Sequence, residues 1–291
     1  MKRIGCTLWL MLLSLAAFTA AGAETSARSQ WWWDEAWWSS GQLESTPTLP
    51  VAISTTSYRN GDVEVPVTVL RPRDNKQYPG VLFVHGRRGF DELVQLHAMR
   101  VAAQGFIVFA PDLFSGRFIE KMPITHDSAL EDDLDKGVEA FLQSPGISSR
   151  KLCFYSHTRG GYFTLKVSVK KKRQEKDIAC YVSYYPHWQD PNAPEALQVY
   201  AYAPEINDFT VPAMIFAGEQ EQYQRKRVIE TSVEVLRARN RPITYVVYQG
   251  VGRGFDFRPD NVRTFADDLA AKDAIVRSAR FMRAHLGAKG Q

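Results

Sequence analysis

The sequence predicts an α/β domain: a mostly parallel, doubly wound sheet flanked by helices. Three observations predict it. Short runs that are apolar throughout, with no alternation, suit strands covered on both faces. Stretches of helical period separate them. No internal repeat or long low-complexity linker divides the chain after about Val51. With 291 residues, 45% of them hydrophobic, the chain can bury a core of that size.

In chain order, Met1, Lys2 and Arg3 open a basic start, an apolar run follows from Leu8 to Ala21, and Ala21-Gly22-Ala23 supplies small residues. That is the pattern of a cleaved export signal over residues 1–23, which predicts a periplasmic or secreted protein. The apolar run falls short of the roughly 20 residues that span a bilayer, so no transmembrane span is expected in the mature chain. Residues 24–50 form a polar lead-in holding Trp31, Trp32, Trp33, Trp37 and Trp38, five of the seven tryptophans. Such a cluster either docks a partner protein or packs across the domain's own surface.

The domain itself is placed at residues 51–291. Strands are predicted at Val63–Leu70, Val81–Val84, Phe106–Ala110, Lys151–Tyr155, Cys180–Tyr185, Val211–Ala217 and Ile243–Tyr248. Helices are predicted at Leu93–Gln104, Ser128–Gln143, Gly161–Lys176, Val228–Arg239 and Asn261–Leu286. The basic run Lys170-Lys171-Lys172-Arg173 falls at the end of the third of these, where cations complement the helix dipole.

The net charge of +4 falls to +2 once Lys2 and Arg3 are removed, too small an excess for a dedicated nucleic-acid binder. Cys153 and Cys180 remain in the mature chain. Buried free thiols are the expected state, with a bridge open in an oxidising compartment. No metal, nucleotide or redox-cofactor motif is present, and His97, His126, His187 and His285 show no ligand spacing, as expected of surface or satisfied core histidines. No cofactor is expected. In a doubly wound sheet the ligand lies beyond the carboxyl ends of the strands, which directs attention to the loops after Val84, Ala110, Tyr155, Ala217 and Tyr248.

The loop after Tyr155 reads Ser156-His157-Thr158-Arg159-Gly160-Gly161 between a strand and a helix. This is the setting of a nucleophile elbow, with Gly160 in place and Thr158 where the nucleophile stands. Together with Tyr78 to Gly86, Gly105-Phe106 with Ala110 to Phe114, Val211 to Glu219 and Tyr248 to Phe255, it makes the chain resemble the dienelactone hydrolase family of the α/β-hydrolase fold. The resemblance covers about residues 60–286. It implies a nucleophile at Thr158, an acid at Glu221, the triad histidine's place at Arg253, and half an oxyanion hole at Gly86.

All three triad positions are therefore altered. Threonine keeps a hydroxyl, and glutamate can replace aspartate with a small adjustment. Arginine cannot take a proton from a hydroxyl, and an unactivated hydroxyl is a poor nucleophile. His157 is the neighbour of Thr158, but adjacent elbow residues point apart. The strand-end loops are instead rich in arginine: Arg87, Arg88, Arg117, Arg159 and Arg253. If three of them face one cavity with Glu221, that cavity is net positive and suits a carboxylate, phosphate or sulfate. The alternative places Arg87 and Arg88 in solvent and lets Arg253 only hold its loop.

Three functions follow: a noncatalytic or noncanonical binder of a small anionic ligand or a partner; an ester or lactone hydrolase with Thr158 as nucleophile; or an interaction module docking through its tryptophans.

Overall fold

The centre of the sheet is built from segments with no polar residue to spare: Gly80–Val84 and Ile107–Pro111 are buried at every position. A computed structural model describes residues 48–259 and 261–287. The expected export segment 1–23 and the cluster Trp31, Trp32, Trp33, Trp37 and Trp38 lie outside the described residues. Eight strands form one sheet: β1 (Val51–Asn60), β2 (Val63–Pro72), β3 (Gly80–Val84), β4 (Ile107–Pro111), β5 (Leu152–His157), β6 (Ile178–Tyr184), β7 (Ala213–Gln220) and β8 (Ile243–Gly252). Their order is β1-β2-β4-β3-β5-β6-β7-β8. From β4 to β8 all neighbours are parallel, while β1 and β2 pair antiparallel with each other and β2 with β4.

The helices are α1 (Glu92–Ala102), α2 (Ala129–Leu142), α3 (Gly160–Lys170), α4 (Arg173–Lys176), α5 (Glu195–Tyr200), α6 (Tyr223–Ala238) and α7 (Phe265–Leu286). Successive strand side chains point to opposite faces, and the core divides accordingly. Leu82, Val84 and Phe154 pack with α2, α3 and α6 through Leu134, Phe163 and Val233. Val81, Phe83 and Tyr155 pack with α1 and α7 through Val94, Val101 and Ala274.

Three sequence expectations change. Strand β1 was absent from the expected series because its Ser54-Thr55-Thr56-Ser57 stretch is exposed at the sheet edge and carries no apolar run. The helix expected over Gly161–Lys176 breaks at Lys172, which takes φ of 57°. Arg173 is thereby turned inward, buried, onto Asp135, Glu139 and Asp177, so the basic run is largely neutralised by the acidic face of α2. Cys153 and Cys180 are not free thiols but a disulfide joining facing positions of β5 and β6, with Cα atoms 4.6 Å apart.

Candidate active site

Strand order reverses between β3 and β5, so their carboxyl ends open the crevice in which this topology places a ligand. At the end of β5 the chain turns so sharply into α3 that Thr158 adopts φ of 49°. For a β-branched residue that left-handed conformation is a genuine outlier, costing about 1–3 kcal/mol. The turn is held by Thr158 N–H donating to the Tyr184 carbonyl at 3.1 Å and by the Thr158 carbonyl accepting from His187 N–H at 2.8 Å. Two glycines follow because the helix start lies against other chain: a Cβ on Gly160 would come within 2.5 Å of the Val84 carbonyl oxygen, and one on Gly161 within 2.5 Å of Pro186 Cβ.

The hydroxyl of Thr158 faces Gly86, where an added Cβ would stand 1.8 Å from its Oγ1. That oxygen is buried and has no hydrogen-bond partner. The turn carrying Gly86 is fixed by buried His85, whose Nδ1 contacts the Gly86 carbonyl at 2.8 Å while Nε2 accepts from Leu113 N–H at 3.1 Å. Burial lowers the His85 pKa, which keeps this ring neutral for both bonds.

Where the resemblance implies an acid–histidine pair, an ion pair stands. Glu221, buried just past β7, lies 3.0 Å from Arg253 Nη1 through Oε2, and its Oε1 accepts from Gln222 N–H at 2.8 Å. Arg253 Nη2 donates to His187 Nε2 at 2.7 Å, and the guanidinium lies over the Tyr185 ring at 4.9 Å. His187 is buried. Burial first, then Arg253, Arg225, Arg159 and Arg87, hold its pKa well below the ordinary imidazole value. No local motif or ligand spacing in the sequence distinguishes His187.

These groups border a cavity of about 450 Å³ lined by Thr158, His157, His187 and Tyr185 and by Arg87, Arg88, Arg225, Arg253 and Arg258. Three of the five expected arginines thus meet there. Arg87 is partly spent on the carbonyls of Met122 and Pro123, and Arg88 is half exposed and paired with Asp91. Arg117 does not reach the cavity: buried Asp133 of α2 draws it away into an ion pair. Arg159 is also no part of the lining. Its guanidinium is buried and donates to the carbonyls of Pro123, Ile124 and Thr125, a clamp on that loop.

Arg225, on the first turn of α6, was not foreseen. It enters through the fold of the helix rather than through any motif. Its Nε and Nη1 are buried without a partner, and burial, with Arg253 and Arg87 nearby, lowers its pKa to about 10. Behind the cavity wall, buried His97, His157 and Asp256 converge, with Asp256 Oδ2 3.1 Å from His97 Nδ1 and 2.8 Å from His157 Nε2.

A nucleophile elbow at the carboxyl edge of an eight-stranded sheet, facing a glycine turn after β3, defines an α/β-hydrolase-fold protein. Residues 65–286 match the Dienelactone hydrolase family, and the chain belongs to that family. A Salmonella typhimurium protein named "Putative carboxymethylenebutenolidase" is 23% identical over 264 residues, covering 84% of this chain and 92% of that one. Among solved structures, a "Putative Dienelactone Hydrolase" of Klebsiella pneumoniae superposes with a TM-score of 0.63 at 20% identity, over 82% of this chain and 100% of that chain. An esterase of Pyrobaculum calidifontis gives 0.61 at 18% identity, over 82% and 86%. At these identities the two structures bear on the fold alone.

Proposed function

We propose that this family member is exported and uses the cavity beside Thr158 to bind a small ligand bearing a carboxylate or similar oxyanion, without the family's histidine-based catalysis. The observation that carries this reading is Arg225: a partly buried guanidinium on a cavity wall, two of whose nitrogens are buried without a partner. Leaving buried donors unmade costs about 1–3 kcal/mol, more for a charged group, and an oxyanion removes that cost with charge-assisted bonds. Glu221 does not cancel the cavity's charge beyond Arg253, to which it is already paired. The Thr158 hydroxyl, unpartnered, has no base on it.

Export is supported by the N-terminal pattern and by the Cys153–Cys180 bridge, since disulfides persist in oxidising compartments. Among the described residues no helix is long and apolar enough to cross a membrane. The tryptophans of the lead-in are in this reading a docking or self-packing segment, separate in sequence from the region that resembles the hydrolase family.

The test is thermal shift and calorimetry with small dicarboxylates, sulfated sugars and phosphates. Stabilisation by at least one anion, lost in Arg253→Ala, is expected. No response to any of them, and no effect of that substitution, would overturn the reading.

One observation favours hydrolysis as a second reading. His187 is neutral and accepts from Arg253 at Nε2, so its unpartnered Nδ1 carries a proton beside the cavity that Thr158 lines, a donor for an oxyanion formed there and not a base for the threonine. The Salmonella relative's name refers to a carboxylate-bearing lactone, a substrate class an arginine-lined cavity also suits. Labelling of Thr158 by a fluorophosphonate probe, with p-nitrophenyl ester turnover lost in Thr158→Ala, would establish this reading in place of the first.

A further inference from the structure

We infer that His97, His157 and Asp256 form a binding site for one divalent first-row transition-metal ion, behind the wall of the arginine-lined cavity and independent of the anion it is proposed to hold. The three residues come from separate elements: α1, the end of β5 and the loop after β8. They converge with one ligand atom each, His97 Nδ1, His157 Nε2 and Asp256 Oδ2, all within 4.8 Å of one another.

Asp256 is close enough to pair electrostatically with both imidazoles, but the contacts lack hydrogen-bond geometry. Although Oδ2 lies 3.1 Å from His97 Nδ1 and 2.8 Å from His157 Nε2, none of the three atoms has a hydrogen-bond partner. All three residues are buried, with His97 and His157 each 1% exposed and Asp256 3%. Three buried polar atoms aimed at one region and left without hydrogen bonds are costly unless something else satisfies them. A metal ion does so. Ligand atoms held about 2.0–2.1 Å from a zinc-like ion stand about 2.8–3.4 Å apart at right or tetrahedral angles, the spacing of Oδ2 from each imidazole; the two imidazole nitrogens, within 4.8 Å of each other, draw in to that spacing as the ion binds.

The outer contacts agree. Metal-bound histidines and carboxylates are usually oriented through their other polar atom. Here His97 Nε2 meets the Tyr155 hydroxyl at 2.7 Å, and Tyr155 in turn donates to Tyr184 at 2.6 Å. Asp256 Oδ1 accepts from the buried Tyr185 hydroxyl. The atoms pointing away from the centre are thus engaged on two of the three ligands, and the atoms facing it are not.

Two imidazoles and one carboxylate select a borderline ion such as Zn²⁺, Co²⁺ or Fe²⁺ over Ca²⁺ or Mg²⁺, which take oxygen ligands. Three protein ligands leave at least one coordination position open. His157 and the neighbouring Phe257 separate the site from the cavity that both of them line.

The test uses the whole chain, free of any histidine tag, stripped with a chelator and titrated with Zn²⁺ by calorimetry. Binding of one ion per chain is expected, with no uptake of Mg²⁺ or Ca²⁺. Co²⁺ should give visible d–d absorption. Asp256→Asn should weaken Zn²⁺ binding at least about 100-fold, Tyr155→Phe by about 10–100-fold, and His285→Ala, on the exposed end of α7, not at all. Absence of stoichiometric binding by the folded wild type would overturn the inference, as would binding that a folded Asp256→Asn variant leaves unchanged. If that variant does not fold, X-ray absorption on the Zn²⁺-loaded wild type decides: a nitrogen and oxygen shell near about 2.0–2.1 Å is expected, and a shell lacking imidazole is the contrary result.

Discussion

Replacing Arg225 by methionine removes the guanidinium while keeping an unbranched apolar stem. In the ligand-free protein that guanidinium sits at a cost. Burial first, and then the repulsion of Arg253 and Arg87, bring its pKa down from the ordinary guanidinium value to about 10. At about 1.4 kcal/mol per pH unit this is roughly 3 kcal/mol, and the side chain is only partly buried, so solvent screening reduces it to about 1–2 kcal/mol. Arg225→Met is therefore expected to stabilise the ligand-free chain by about 1–2 kcal/mol. For a domain of this size each 1 kcal/mol moves Tm by about 2–4 °C.

The same variant should lose its response to anions, whereas the wild type gains about 2.7 kcal/mol at a ligand concentration a hundred times Kd. Urea denaturation and thermal shift, each with and without succinate, sulfate or phosphate, measure both effects. A variant less stable than the wild type, with its anion response intact, would show that Arg225 serves the helix and not a ligand.

Further predictions concern the surrounding framework. His187, facing Arg253, Arg225, Arg159 and Arg87, stays neutral when folded, while an unfolded histidine titrates near 6.5. Below that pH the unfolded state binds the extra proton, so stability should fall with acid by about 1.4 kcal/mol per pH unit; His187→Gln should flatten the slope between pH 6.5 and the folded value, and equal slopes would count against it. Gly86→Ala drives a Cβ to 1.8 Å from Thr158 Oγ1 and 3.0 Å from the His157 carbonyl oxygen. A loss of about 1–3 kcal/mol is expected, mostly recovered when Thr158→Gly is added; no recovery would place the clash elsewhere. Reducing the Cys153–Cys180 bridge, which spans a sequence separation of 27, should lower the urea-derived stability by about 3–4 kcal/mol. An unchanged midpoint in reductant would show that the bridge is not formed.

Much of the sheet was legible because strands β3 to β7 are buried on both faces and their sequences show it. Strand β1 was not legible, since an edge strand needs no apolar run. At the site, Thr158, Glu221 and Arg253 are read from motif position, and the Glu221–Arg253 pair follows from their charges. Arg117 and Arg159 mislead for a shared reason: loop position says nothing of side-chain direction, and one finds Asp133 while the other finds three carbonyls. Arg225, His187 and the grouping of His97, His157 and Asp256 depend on tertiary approach between distant segments, which local spacing does not encode.

Arg253, where the resemblance implies a histidine, also changes how the crevice responds to its surroundings. A histidine there would switch charge within the physiological range, whereas a guanidinium keeps its charge throughout it. With His187 held neutral and Arg225 still protonated below about 10, the crevice carries a nearly constant charge from mildly acidic to mildly alkaline conditions. Capture of a weak acid by this protein would then follow the ionisation of the ligand itself, suiting a compartment whose acidity is set by the outside world.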